Sequence, residues 1–257
     1  MFIPLYDTNR LHHIRFAYVT IGLIALNIVV YCVTTLGGQD FSNAAMLGLG
    51  FIPSVVYHYA ELAPQFIVVP ERWSYLTYSF LHLDVLHLGG NMLFLWVFGD
   101  NVEDAMGHLR FLAFYLLSAA AGALMHGLVA PESQAPLIGA SGAVAGVVTA
   151  YLMLYPRNKV WILAFARIPL RVPAAWALAA WIGLQFVMFL WAGEDQISWA
   201  CHVGGILGGA VLLLLFKRRD VPLFAPAEVA DAAAEDDVTL APVAVSEDKP
   251  AARWGRQ

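Results

Sequence analysis

The sequence predicts an all-α, polytopic membrane protein, and three observations carry that prediction. Of 257 residues, 60% are hydrophobic and only 13% are charged, about half the charged fraction of a soluble domain. The mean hydropathy is strongly positive, +0.67. The apolar residues also gather into six stretches, and a membrane-crossing helix needs about 20 such residues. These numbers exclude a water-soluble globule and a disordered chain, and the missing basic excess argues against a nucleic-acid binder.

The six stretches are 16–36, 86–98, 109–129, 137–155, 174–191 and 199–216. The first is too long for the core of a signal peptide, and no A-x-A-like cleavage site follows it, so it reads as a retained anchor. The second is short, but His87 and Asn91 at its start can lie in a helix that faces the protein interior. Basic residues set the orientation. Arg10, Arg15, Arg110, Arg157, Lys159, Arg167, Arg171, Lys217, Arg218 and Arg219 fall on one side of a six-span arrangement. With the tail included, 13 of the 14 bases lie on that side, which reads as the cytoplasm with both termini in it; Arg72 is the exception.

Three regions result. Residues 1–15 are a cytoplasmic N-terminal segment, 16–219 a six-helix membrane domain, and 220–257 an acidic cytoplasmic tail. The tail holds eight acids and three bases and so carries the whole net charge of −5. Rich in Ala and Pro, it cannot bury enough surface to fold alone and is expected to be disordered. The first outer connection is too apolar to hang in water, with Phe51, Val55, Val56, Tyr59, Trp73, Tyr75 and Tyr78 in it. It is expected to lie partly in the outer leaflet, packed on the bundle. Cys32 and Cys201 both sit in apolar surroundings and read as buried thiols.

Polar side chains inside a span are costly and usually face the interior or a water-filled cavity. Here they are Asn27, His87, Asn91, Ser118, His126, Ser141, Gln185 and His202, with His82 just before the second span. No acid or base lies mid-span, which argues against an ion-coupled transporter or a proton pump. His87 stands 13 residues before Asp100, Ser141 stands 15 before Pro156, and His202 stands 15 before Lys217. All three distances to the inner end are about 20–23 Å of helix, which puts the three groups at one depth, nearer the outer face.

Each group has two readings. Ser141 sits in Gly139-Ala140-Ser141-Gly142. Glycines let a substrate backbone approach a nucleophile and free N–H groups for an anion, but a serine among glycines is also ordinary helix-packing glue. His202 precedes Gly204, Gly205, Gly208 and Gly209, two overlapping G-x-x-x-G pairs that permit close helix approach. It is either a neutral ring bonded to a carbonyl or the base for Ser141. His87 and Asn91 share a helix face at i and i+4. They are either a polar packing contact or a pair of oxyanion donors, each worth about 3–4 kcal/mol. With no third ligand at suitable spacing, a metal site is not expected.

Phe80-Leu81-His82, His87, Gly90-Asn91-Met92, Gly139-Ala140-Ser141-Gly142 and Cys201-His202-x-x-Gly205 occur in that order on these spans. In them, and in the link 98–107, the chain resembles the rhomboid family of intramembrane serine proteases over residues 15–217, in its simple bacterial six-helix form. The resemblance implies a rhomboid-like bundle and a serine endopeptidase with a Ser141–His202 dyad. It implies an oxyanion site from Asn91, His87 and the Ser141 N–H, with His82, Gly139 and Gly142 in support. No cofactor or metal is implied. The substrates would be single-span membrane proteins cut near the outer face of a bacterial inner membrane, with the lipid bilayer as the other partner; no nucleic acid and no particular oligomeric state are implied. Two departures stand out. Some members carry a tyrosine four residues after the serine that stacks on the histidine, and here that position is Ala145. The family's Trp-Arg pair appears as Arg72-Trp73. A non-catalytic binding protein of the same fold and a small transporter are the competing functions.

Overall fold

The computed structural model describes residues 2–164, 167–191 and 198–226. In chain order the elements are β1 (Phe2–Asp7), α1 (Tyr18–Leu36), α2 (Gly38–Leu49), α3 (Pro53–Val56), α4 (Ser74–Thr77), α5 (Val85–Met106), α6 (His108–Val129), α7 (Ser141–Leu154), β2 (Lys159–Ala164), β3 (Ile168–Pro173), α8 (Ala174–Trp191) and α9 (Trp199–Phe216). Helices dominate, as the apolar stretches predict, and the chain is an all-α polytopic membrane protein. By length and composition α1, α6, α8 and α9 can each cross a membrane. Helix α5 follows the helical segment Glu71–Phe80 after an 85° bend and makes a fifth candidate with it. Helix α7 is apolar but has only 14 residues.

The short helix is the centre of the bundle. It packs against α5, α6, α8 and α9, and all its residues except Ser141, Leu152 and Met153 are buried. The opposite holds for α1, α8 and α9, whose leucines, valines and tryptophans include many that are exposed, such as Val29, Leu36, Trp176, Leu190, Val211 and Leu215. Apolar side chains that face outward in such number suit a lipid surround.

Polar contacts at one end tie the helices together. Glu103, fully buried on α5, accepts from the N–H groups of Val19 (3.0 Å) and Thr20 (2.7 Å) and from the Thr20 hydroxyl (2.7 Å). It thereby satisfies donors at the start of α1 that no earlier turn can take. Asp104 accepts from His13 and Ile14 N–H at 2.7 Å each. These contacts bind the N-terminal segment and α1 to the end of α5.

Four findings change the sequence reading. First, the N-terminal segment and the link after α7 form a three-stranded antiparallel sheet in the order β1-β2-β3, with Asp7 opposite Val160 and Lys159 opposite Pro173. Second, the fourth stretch is helical only from Ser141. Leu137 instead exchanges backbone hydrogen bonds with Phe51 (3.1 and 2.8 Å), and Gly139 has φ +113°, which no right-handed helix contains. Third, Cys32 is exposed on α1, whereas Cys201 is buried. Fourth, residues 220–226 remain attached to the bundle. Val221 is buried, and Phe224 and Ala225 donate to the Met153 and Leu154 carbonyls. The rest of the acidic tail, from 227, and the outer connection 192–197 lie outside the described residues.

The first outer connection is folded. It contains α2, α3, α4 and 3₁₀ turns. Phe51 and Tyr78 are fully buried, while Tyr59 and Trp73 are exposed.

Candidate active site

Local capping sets where each candidate residue stands. Asp84 accepts from Leu86 and His87 N–H, both at 2.8 Å, and so starts α5 at Val85. This is an ordinary carboxylate N-cap, and it puts His87 in the first turn. Ser198 caps α9 by accepting from Cys201 N–H at 3.2 Å, which puts His202 in the first turn as well. Its hydroxyl also bonds His126 Nδ1 at 2.7 Å and joins the end of α6 to the start of α9. Ser141 is the first residue of α7, and its helix has no side-chain N-cap. The three groups placed at one depth by counting residues thus all stand at the start of their helices.

Two glycine pairs on α9 serve two different neighbours. Methyl groups at Gly204 and Gly208 would strike Ala121 on α6, at 2.5 Å from its carbonyl oxygen and 2.6 Å from its Cβ. A methyl at Gly205 would overlap the Gly142 backbone, and one at Gly209 would lie 2.5 Å from the Gly146 Cα. Backbones therefore meet directly along α7 and α9, as small residues allow in membrane helices. Ser141 is next to Gly142, and His202 is one turn before Gly205. Among the described residues no hydrogen bond joins the Ser141 hydroxyl to the His202 ring.

The α5 residues reach the loop that leads into α7. The His87 ring lies where a Gly139 side chain would be, with its Nε2 2.6 Å from that ideal Cβ. Glycine is needed there twice, for the ring and for the positive φ. His82 is buried, accepts a long hydrogen bond from Ala140 N–H (3.4 Å), and packs edge-on against His87 with ring centroids 5.2 Å apart. Asn91 is buried, and its Nδ2 has no hydrogen-bond partner among the described residues.

The His202 ring is held from α8. Its Nδ1 lies 2.8 Å from Gln185 Oε1. Trp181 stacks on it at a centroid distance of 6.4 Å and 29°, and Trp199 meets it edge-on at 5.7 Å. Counting polar residues in spans found Gln185 but gave it no role. Tyr78 was also missed, having been read as one apolar residue among several. Its hydroxyl donates to the Ala119 carbonyl (2.8 Å) and touches Cys201 Sγ (3.4 Å), and its carbonyl accepts from Gly139 N–H (3.0 Å). It ties α6, α9 and the Ser141 loop to one ring. Among the described residues no group of three or more His, Cys, Asp or Glu side chains is placed to hold a metal ion.

A hydroxyl at an uncapped helix start and an imidazole on the adjacent helix are the kinds of group that acyl-transfer chemistry uses. The chain is similar to known proteins of one kind. A family model described as "Rhomboid domain" matches residues 69–219. "Rhomboid protein 1, mitochondrial" of Saccharomyces cerevisiae is 30% identical over 181 residues, covering 66% of this chain and 49% of that protein. "Rhomboid protease GluP" of Bacillus subtilis is 27% identical over 186 residues, covering 72% of this chain and 32% of that protein. "Rhomboid-related protein 3" of Homo sapiens is 28% identical over 172 residues, covering 65% and 40%. The chain spans about half the length of these relatives, or less.

Proposed function

Because the chain belongs to the rhomboid family, we propose that it is an intramembrane serine endopeptidase with Ser141 as nucleophile and His202 as base. The carrying observation is the backbone contact of Gly205 with Gly142. It holds the starts of α7 and α9 together, and each start bears one member of the dyad.

In the reaction, Ser141 Oγ attacks the scissile carbonyl carbon as its proton passes to His202 Nε2. The tetrahedral oxyanion forms beside the Ser141 N–H, Asn91 Nδ2 and His87. The C–N bond then breaks, and the His202 proton goes to the leaving amine. Water, deprotonated by His202, then attacks the acyl carbon, the acyl C–Oγ bond breaks, and His202 returns the proton to Ser141 Oγ. Asn91 Nδ2 has no partner among the described residues and so is available to donate to the oxyanion. The lack of a side-chain cap on α7 supports the oxyanion role in the same way: its first N–H groups remain available to an anion. His82, Gly139 and Gly142 shape the backbone around Ser141.

The substrates of this reading are single-span membrane proteins, cut near the outer end of the span. At about 1.5 Å per residue α7 is roughly 21 Å long against a hydrocarbon core of about 30 Å. A helix so short, anchored at its inner end, starts below the outer surface, so its serine meets a peptide bond within the bilayer. A scissile bond must leave its own helix first, because helical carbonyls are already hydrogen-bonded. The side on which the bases gather supports an orientation with both termini in the cytoplasm, and we read the membrane as a bacterial inner membrane.

A fluorophosphonate probe on the detergent-solubilised protein tests this. The probe should label Ser141. Ser141→Ala and His202→Ala should each abolish both labelling and cleavage of a reporter span. Persistent labelling of the Ser141→Ala variant would refute the nucleophile.

A further inference from the structure

An imidazole works as a base only in the right tautomer. The proton must sit on the nitrogen that faces away from the nucleophile. In a Ser-His pair without an acid, something else must set this. Among the described residues, no carboxylate bonds the His202 ring, and the ion pairs formed by histidines involve His13, His58 and His108. Ala145 leaves no ring from α7 to stack on it.

Helix α8 supplies both contacts. Gln185 is 3% exposed and is one of only four buried residues of α8. Its Nε2 donates to the Trp181 carbonyl at 3.0 Å. A carbonyl can only accept, so that bond fixes which end of the amide is nitrogen. The other end, Oε1, lies 2.8 Å from His202 Nδ1. An amide oxygen also can only accept, so Nδ1 must carry the hydrogen, and Nε2 is left with the lone pair. Trp181, four residues before Gln185 and on the same helix face, stacks on the ring.

We infer that Gln185 is a positioning residue for His202: its amide, locked by the Trp181 carbonyl, holds the imidazole in the Nδ1–H tautomer that leaves Nε2 free to take the Ser141 proton. The inference rests on the reading of His202 as the base. It also makes the base depend on α8. If α8 shifts away from α9, the tautomer lock and the stacking partner leave together.

The experiment uses the full-length protein with a reporter span and the fluorophosphonate. Gln185→Met keeps the volume and removes the acceptor. It should lower kcat roughly tenfold to a hundredfold with KM little changed, and slow serine labelling by a similar factor. Gln185→Glu restores an acceptor, and its charge favours the imidazolium. It should recover the rate and move the acid limb of the kcat/KM profile to higher pH, by about one unit or more. A merely structural glutamine predicts no rescue, because an ionised glutamate cannot donate to the Trp181 carbonyl. Wild-type rate and pH profile in Gln185→Met would overturn the inference, as would a Gln185→Glu enzyme no better than Gln185→Met with an unmoved acid limb. Should Gln185→Met not fold, the Gln185→Glu profile decides alone. If Ser141→Ala and His202→Ala retain cleavage, the dyad itself is wrong. If those two are dead while Gln185→Met is fully active, only the role of Gln185 is lost.

Discussion

Gly205 lies backbone to backbone against Gly142, so close that a methyl group on the first would overlap the carbonyl of the second. The contact joins α9 to α7 one turn from His202 and one residue from Ser141. Packing and the proposed dyad therefore share one pair of glycines.

Gly205→Ala should force the two helices apart. Overpacking of this kind typically costs about 1–3 kcal/mol, and the dyad should separate with the helices. The expected result is a lower Tm in detergent and loss of reporter cleavage. Gly183→Ala on α8 is the control, because nothing lies within 4 Å of the added methyl. It should leave Tm unchanged or slightly raised.

The oxyanion donors can be tested separately from folding. Asn91→Ala removes the orphaned amide, and His87→Ala removes the ring against Gly139. Each should lower kcat about a hundredfold or more, with little change in Tm for Asn91→Ala, whose Nδ2 has no partner among the described residues. Reporter kinetics and thermal unfolding run side by side check this. Unchanged kcat in both variants would remove the two side chains from the oxyanion site.

How much of this was legible in the sequence depends on the range of the interaction. The helices were legible because their apolar runs are local. So was a position for His87, Ser141 and His202 near one end of their helices, because a helix converts residue count into distance. The sheet was not. Phe2 pairs with Ala164 and Asp7 with Val160, far apart in sequence, and six-residue strands lie too close to loop composition to stand out. The extended piece at Leu137 was hidden inside an apolar run that reads equally well as helix. Gln185 was visible as a polar residue in a span, but its partner is set by how α8 and α9 pack. The paired glycines of α9 announced close approach without saying that it would be to α6 on one side and α7 on the other.

Glu103 should matter to stability and not to chemistry. Its buried carboxylate accepts three hydrogen bonds from Val19 and Thr20 and also contacts His108. Glu103→Ala leaves those donors unsatisfied, at a cost of about 1–3 kcal/mol for each one left buried. The expected outcome is a large drop in Tm. Protein that remains folded at low temperature should still label with fluorophosphonate at close to the normal rate.

The strand that closes the sheet predicts a pH dependence of stability. Asp7 on β1 has its carboxyl pushed up from 3.8 to about 7. Burial is the main cause; the hydrogen bond from Tyr151 acts in the opposite sense, and the nearby charge of Asp100 raises it further. Its Oδ2 accepts from the Tyr151 hydroxyl at 2.6 Å and from Asn101 Nδ2 at 2.9 Å. The folded state therefore binds this proton more tightly than the unfolded chain does. Stability from this group is fully present below about pH 4, falls as pH rises, and is lost once pH passes about 7. Asp7→Asn keeps an oxygen that can accept both bonds and cannot ionise. Its Tm should exceed that of the parent most clearly above pH 7, with the difference narrowing toward pH 4. Thermal unfolding in detergent from pH 4 to 8 reads this directly, and parallel curves for the two proteins would show that Asp7 ionises as freely folded as unfolded.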